Sequence, residues 1–77
     1  MGLVDEVRRD RTTRMPSPRT ARAIRVAAGV TQEQIASELG VSRVAVTAWE
    51  LGRSQPRRQN RRAYAELLAQ LSEAVSA

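Results

Sequence analysis

The stretch that most constrains the fold is residues 31–50, TQEQIASELGVSRVAVTAWE. It reads as two short helices joined by a tight turn at Gly40. Thr31 is a good N-cap, and Gln34, three residues on, is placed to close a capping box on it. Val30 and Ile35 flank that cap at the spacing of a hydrophobic staple. Ile35, Ala36 and Leu39 then share one face of a 3.6-residue repeat. Gly40 takes the left-handed conformation that stops a helix at little steric cost. The opening device then repeats. Ser42 caps a second helix, Val41 and Val46 are spaced to staple it, and Val46 and Trp49 point inward.

This leaves Arg43, Val44, Thr47 and Ala48 on the outer side of the second helix. Val44 and Ala48 have no evident core to enter, yet polar Arg43 and Thr47 stand beside them. A short helix with a small, mixed outer face suits the floor of a DNA major groove, where Arg binds guanine bidentately and small apolar groups meet the thymine methyl. Two helices joined by a short Gly-containing turn have the helix-turn-helix geometry, with the second helix as reader.

The same residues carry a resemblance. Arg22, Arg25, Gly29, Val30, Thr31, Gln32, Ile35, Ala36, Leu39, Gly40, Val41, Ser42, Val46, Trp49, Glu50, Gly52 and Pro56 follow without gaps the pattern of the phage-repressor and Cro-like family, the xenobiotic-response-element type of helix-turn-helix. The likeness spans roughly residues 19–71. It implies an all-α fold, a compact four- to five-helix lambda-repressor-like bundle with helices 2 and 3 as the helix-turn-helix. It implies that Arg25 pairs with Glu50 at the end of the reader helix, and that Gln32 binds the DNA backbone or a base edge beside it. After Pro56 the chain departs from the commonest pattern: one basic, then amphipathic segment stands where two short helices are usual.

Size and composition narrow the chemistry. Seventy-seven residues make one small domain, near the lower limit for a core without staples. With no cysteine and no histidine, disulfides, thiol nucleophiles, the usual zinc ligands and imidazole catalysis are removed together. No cofactor and no metal is expected, and the carboxylates, hydroxyls and Tyr64 show no spacing that joins an acid to a base. No segment is apolar enough to span a membrane, so a cytoplasmic protein is expected.

The net charge of +5 is unevenly placed: seven Arg against three acids in residues 1–25, and five Arg with no acid in 53–62. Two basic blocks flanking a reader helix fit phosphate clamps on either side of a groove. Solvated surface is the plainer reading of the same blocks.

Residues 1–16 read as a basic N-terminal arm with too thin an apolar pattern to promise stable structure. Arg11 and Arg14 are its candidate DNA contacts, in the manner of other minor-groove arms; a non-contacting tail is the alternative. Residues 17–77 form the DNA-binding domain. Ser17-Pro18 opens helix 1, which runs to about Ala28 with Ala21, Ile24 and Ala28 inward. Gln32 and Ser42 stand at helix N-termini, whose free N–H groups and positive dipole suit a phosphate. Arg53, Arg57 and Arg58 follow the reader helix out of the groove and complete the candidate backbone contacts. A long last helix, about 58–75, carries Tyr64, Leu67, Leu68, Leu71 and Val75 on one stripe. That stripe closes the core, and its distal part, Leu71 and Val75, is the candidate homodimer contact.

The function expected is a sequence-specific regulator of double-stranded DNA, a small phage or bacterial repressor reading the major groove with residues 42–51. Its operator is expected to be an inverted repeat and its active form a dimer, at least on DNA. The alternative is an antitoxin-like or adaptor module that binds a protein partner through its C-terminal helix.

Overall fold

The computed structural model describes residues 14–76, which hold four helices and no strand. They are α1 (Pro18–Ala27), α2 (Gln32–Leu39), α3 (Arg43–Glu50) and α4 (Arg58–Ser76). The all-helical bundle expected from the sequence is therefore present, with the region after Pro56 folded as one long helix.

Local signals account for the element boundaries. Ser17 Oγ accepts from Thr20 N at 3.2 Å, with Pro18 at the first helical position. Thr31 and Gln34 form the reciprocal capping box: Gln34 N donates to Thr31 Oγ1 at 3.0 Å, and Thr31 N to Gln34 Oε1 at 2.8 Å. Ala45 N donates to Ser42 Oγ at 3.1 Å. Each bond satisfies an N–H that a helix start would otherwise leave free. At Gly40, φ is 68°, and Val41 N reaches back to Ala36 O at 3.0 Å. A side chain at Gly40 would be strained in this left-handed conformation, so the sharp turn from α2 into α3 depends on glycine.

The core joins all four helices: Ala21 of α1, Ile35 and Ala36 of α2, Val46 and Trp49 of α3, Tyr64 and Leu68 of α4. Helix α4 lies along α1 and also touches α2, while α3 packs on both α2 and α1. Trp49 and Tyr64 meet as a tilted aromatic pair, centroids 5.1 Å apart at 40°. Two placements differ from the sequence expectation. Met15, assigned to the arm, packs against the core beside Pro16, so the packed domain reaches back before Ser17. Leu71 is partly buried against the core, whereas Val75 stays half exposed. Arg11 lies outside the described residues, and Arg14 is exposed and non-helical.

Among the described residues, Tyr64 is the one core side chain with an unmet polar requirement. It is buried, and no group among those residues hydrogen-bonds its hydroxyl. Burial, with the nearby Glu50 charge adding and Arg25 opposing, pushes the phenol up to about 12. A pKa raised in the folded state means the native protein holds its proton more tightly. The associated stability is complete below the unfolded value of 10.0 and is lost as pH rises from there towards 12. Tyr64→Phe should therefore raise stability by about 1 kcal/mol at neutral pH and flatten that alkaline loss. Urea melts at pH 7 and pH 11 check both; a less stable variant would show that the hydroxyl has a bonding partner.

Candidate nucleic-acid interface

The turn at Gly40 sets α3 so that Val46 and Trp49 enter the core and the opposite face meets solvent. On that face, Arg43, Val44, Thr47, Ala48, Leu51 and Arg53 line a shallow depression of ≈ 310 Å³. Val44 is 78% exposed and Leu51 58%. Val44 on α3 and Leu51 just after it are thus both left open by the four helices. Val44, Thr47, Ala48 and Leu51 are spaced i, i+3, i+4 and i+7, a period that ordinarily marks a core stripe. Sequence reasoning missed Leu51; extending the stripe by one step would have found it.

Arg43 is exposed and directed along the α2 side, its Nε 3.5 Å from Glu33 Oε1. Both side chains are open to water, so this contact holds the guanidinium only weakly. Glu33 is thus a neighbour of the candidate reader.

Behind the exposed face lies a partly buried polar network centred on the buried Glu50. Arg25 clasps Glu50 bidentately, Nε to Oε2 and Nη2 to Oε1, the latter at 2.9 Å, and its Nη1 donates to Val30 O at 2.9 Å. Gln32 Nε2 donates to Glu50 Oε1 at 3.0 Å. Thr47 Oγ1 donates to Gln32 Oε1 at 2.9 Å. Burial alone pushes the Glu50 carboxyl up, but the Arg25 guanidinium and the Gln32 amide together outweigh it and hold it below the ordinary carboxylate value. Hydrogen bonding to Glu50 correspondingly raises Arg25. The network ties the ends of α1, α2 and α3 together. Gln32, the DNA contact that the family resemblance implies, has its carbonyl and one amide proton engaged inside the protein. Its backbone N–H, at the first position of α2, and its second amide proton remain. Ser42 is exposed at the N-terminus of α3, its oxygen already capping Ala45 N.

The basic flank follows directly. Gly52, φ 71°, carries the chain out of α3, and Arg53 N donates to Ala48 O at 2.9 Å. Arg53, Arg57 and Arg58 are all exposed. Helix α4 opens with Arg58, Arg61 and Arg62 and has no acid in its first turn. Cations at the positive end of a helix dipole are locally unfavourable, an arrangement that an external anion relieves.

An outward-facing second helix on a rigid helix-turn-helix, beside a cationic flank, defines the class: a DNA-binding helix-turn-helix domain. A family model described as helix-turn-helix matches residues 22–74, and the chain belongs to this family, the xenobiotic-response-element type related to lambda repressor and Cro. Comparison with curated proteins and with solved structures found no match. Among the described residues, no helix is long and apolar enough to cross a membrane. No group of three or more metal-ligating side chains is brought together among them either.

Proposed function

We propose that the protein is a sequence-specific repressor that seats α3 in the major groove of an operator and blocks transcription by occupying promoter DNA. The observation that carries this reading is the uncovered α3 face, where Arg43, Val44, Thr47, Ala48 and Leu51 combine a guanidinium, a hydroxyl and three apolar groups over one depression. That set matches what base edges display. Arg53, Arg57 and Arg58, with the N-termini of α2 and α3 at Gln32 and Ser42, supply the phosphate contacts that set register and most of the affinity. Arg14 and Arg11 are the arm contacts of this reading. A bacterial cell or a phage-infected host is the setting such a regulator serves.

The operator is an inverted repeat bound by two copies. Support comes from a second face, remote in chain position from the reader: Ala23, Ile24, Ala27, Ser72, Val75 and Ser76 line an apolar depression of ≈ 230 Å³ between α1 and α4. Val75, in its lining, is about half exposed, at 50%. A second copy docked there would bury it. An antitoxin-like or adaptor role is the competing reading, in which a different protein occupies the same face.

Selection from random duplex DNA at near-physiological salt tests the function. An enriched inverted repeat with half-sites about one helical turn apart is the expected result; binding without any enriched sequence would remove the repressor reading. Arg43→Ala should cost about 1–3 kcal/mol and relax preference at one base position, whereas Arg57→Ala should weaken specific and random DNA alike. Equal losses on both DNAs for Arg43→Ala, measured by competition binding, would exclude it as a base reader.

A further inference from the structure

We infer that Thr47 is held as a hydrogen-bond acceptor towards the groove, and so selects adenine or cytosine over guanine or thymine on the strand it faces, with Gln32 as the positioning residue that imposes this polarity. The inference rests on the proposed reading of DNA by α3 and names the base chemistry read at one of its positions.

The polarity follows from a chain of hydrogen bonds with a fixed start. Arg25 has donors only, and it places three of them on Glu50 and Val30 O. Glu50, 2% exposed in its side chain and clasped by that guanidinium, has acceptors only. The Gln32 atom facing Glu50 Oε1 at 3.0 Å must therefore be the amide nitrogen, since a carbonyl there would oppose a carboxylate. Amide orientation is otherwise ambiguous between O and N; here the carboxylate decides it. The Gln32 carbonyl is then left facing Thr47, 2.9 Å from its hydroxyl. A carbonyl only accepts, so Thr47 gives up its single proton to Gln32. What remains on Oγ1 is lone-pair density.

Thr47 lines the depression on the outer face of α3 and is partly exposed; in the proposed complex its remaining lone pairs face the base edges. In the major groove, adenine offers its N6 amino group and cytosine its N4 amino group as donors. Guanine presents O6 and N7, and thymine O4, all acceptors. An acceptor-only hydroxyl pairs with the amino bases and is repelled by the keto bases. A free threonine hydroxyl would rotate and serve either. The network thus converts a residue of ambiguous preference into one with a defined preference, through Gln32 and not through any further contact of its own.

The test is selection from random duplex DNA with the wild-type protein, Thr47→Val and Gln32→Met. Valine keeps the shape of threonine without the hydroxyl, and methionine keeps the length of glutamine without its polarity. The position facing Thr47 is the one whose preference Thr47→Val erases. In the wild-type site that position should be adenine or cytosine. Replacing it by the analogue lacking the exocyclic amino group (purine for adenine, 2-pyrimidinone for cytosine) should weaken wild-type binding about tenfold and leave Thr47→Val binding unchanged. Gln32→Met should admit guanine or thymine there while the other positions keep their preferences, a readout that a merely structural role for Gln32 would not move. A wild-type site with guanine or thymine at that position overturns the inference. So does a Thr47→Val selection identical to wild type, or a Gln32→Met selection that still excludes keto bases. Absence of any enriched sequence overturns the DNA-reading function together with the inference, and is distinct from an enriched site carrying the wrong base.

Discussion

Arg25→Met should destabilise the domain by about 3–5 kcal/mol, the usual consequence of removing one partner from a buried ion pair. Glu50 would be left 2% exposed with its charge uncompensated, keeping only the Gln32 amide as a donor. At the usual 0.05–0.15 kcal/mol per residue, a domain of this size has a total stability of about 3–9 kcal/mol. The single replacement should therefore leave much of the population unfolded at 37 °C. Arg25→Met combined with Glu50→Leu should recover most of the loss, because two apolar groups replace the pair and no charge remains buried. Urea denaturation followed by circular dichroism measures both variants. A shift below about 1 kcal/mol for Arg25→Met would mean that the pair behaves as a surface contact.

Acid should expose the same dependence. The folded-state value of Glu50 lies below its ordinary 4.5, so the pair's contribution is complete above that value. It is lost as pH falls from there through the depressed folded value. The Arg25→Met/Glu50→Leu protein should lack this limb of the pH profile.

Trp49→Ala should cost about 3–5 kcal/mol, the range for truncating a buried aromatic side chain to alanine. Trp49 is 7% exposed, and its ring contact with Tyr64 adds to the burial term. It also borders a hollow of ≈ 180 Å³ shared with Met15, Pro16, Pro18 and Tyr64. The space vacated by the indole would join that hollow, and α1 and α4, fixed by Ala21 and Leu68, are poorly placed to collapse into it. For a domain of this size the melting temperature should fall by more than about 12 °C. Trp49→Phe, which keeps a ring against Tyr64, should lose less than half as much. Circular dichroism is the suitable probe, since Trp49 is the only tryptophan. A fall of only a few degrees for Trp49→Ala would mean that the core closes over the gap. Because Trp49 lies directly behind Thr47 and Ala48 on α3, a variant that still folds should also bind DNA less specifically, its reading face being less firmly held.

Much of the candidate interface is legible in the order of amino acids alone, and the reason differs by residue. Arg43, Val44, Thr47 and Ala48 are identifiable because Val46 and Trp49 claim the inner face of the same short helix, leaving them the outer one. The cationic flank at Arg53, Arg57 and Arg58 is visible as composition alone. Leu51 is hidden because it follows the helix proper, where a lone leucine reads as ordinary loop surface. The link between Arg25 and Glu50 is implied by the family pattern, but neither Gln32's place in that network nor the direction of its amide is visible in the one-dimensional spacing. Leu71 reads as free for a partner because the helical stripe shows which residues share a face, not how far a neighbouring helix extends over it.

Local chemistry along the chain specifies the helices, their caps and the turn at Gly40, since each of these depends on groups within about five residues of one another: Ser17 with Thr20, Thr31 with Gln34, Val41 with Ala36, Ser42 with Ala45. The inward faces of α2 and α3 follow from the same short-range periodicity. Packing between helices settles what depends on groups 15 to 25 positions apart. It places Met15 and part of Leu71 against the core and leaves Val75 half open. It joins Arg25, Glu50, Gln32 and Thr47 into one chain of hydrogen bonds. Periodicity shows that a residue faces in or out; only the packed arrangement of helices shows which donor meets which acceptor.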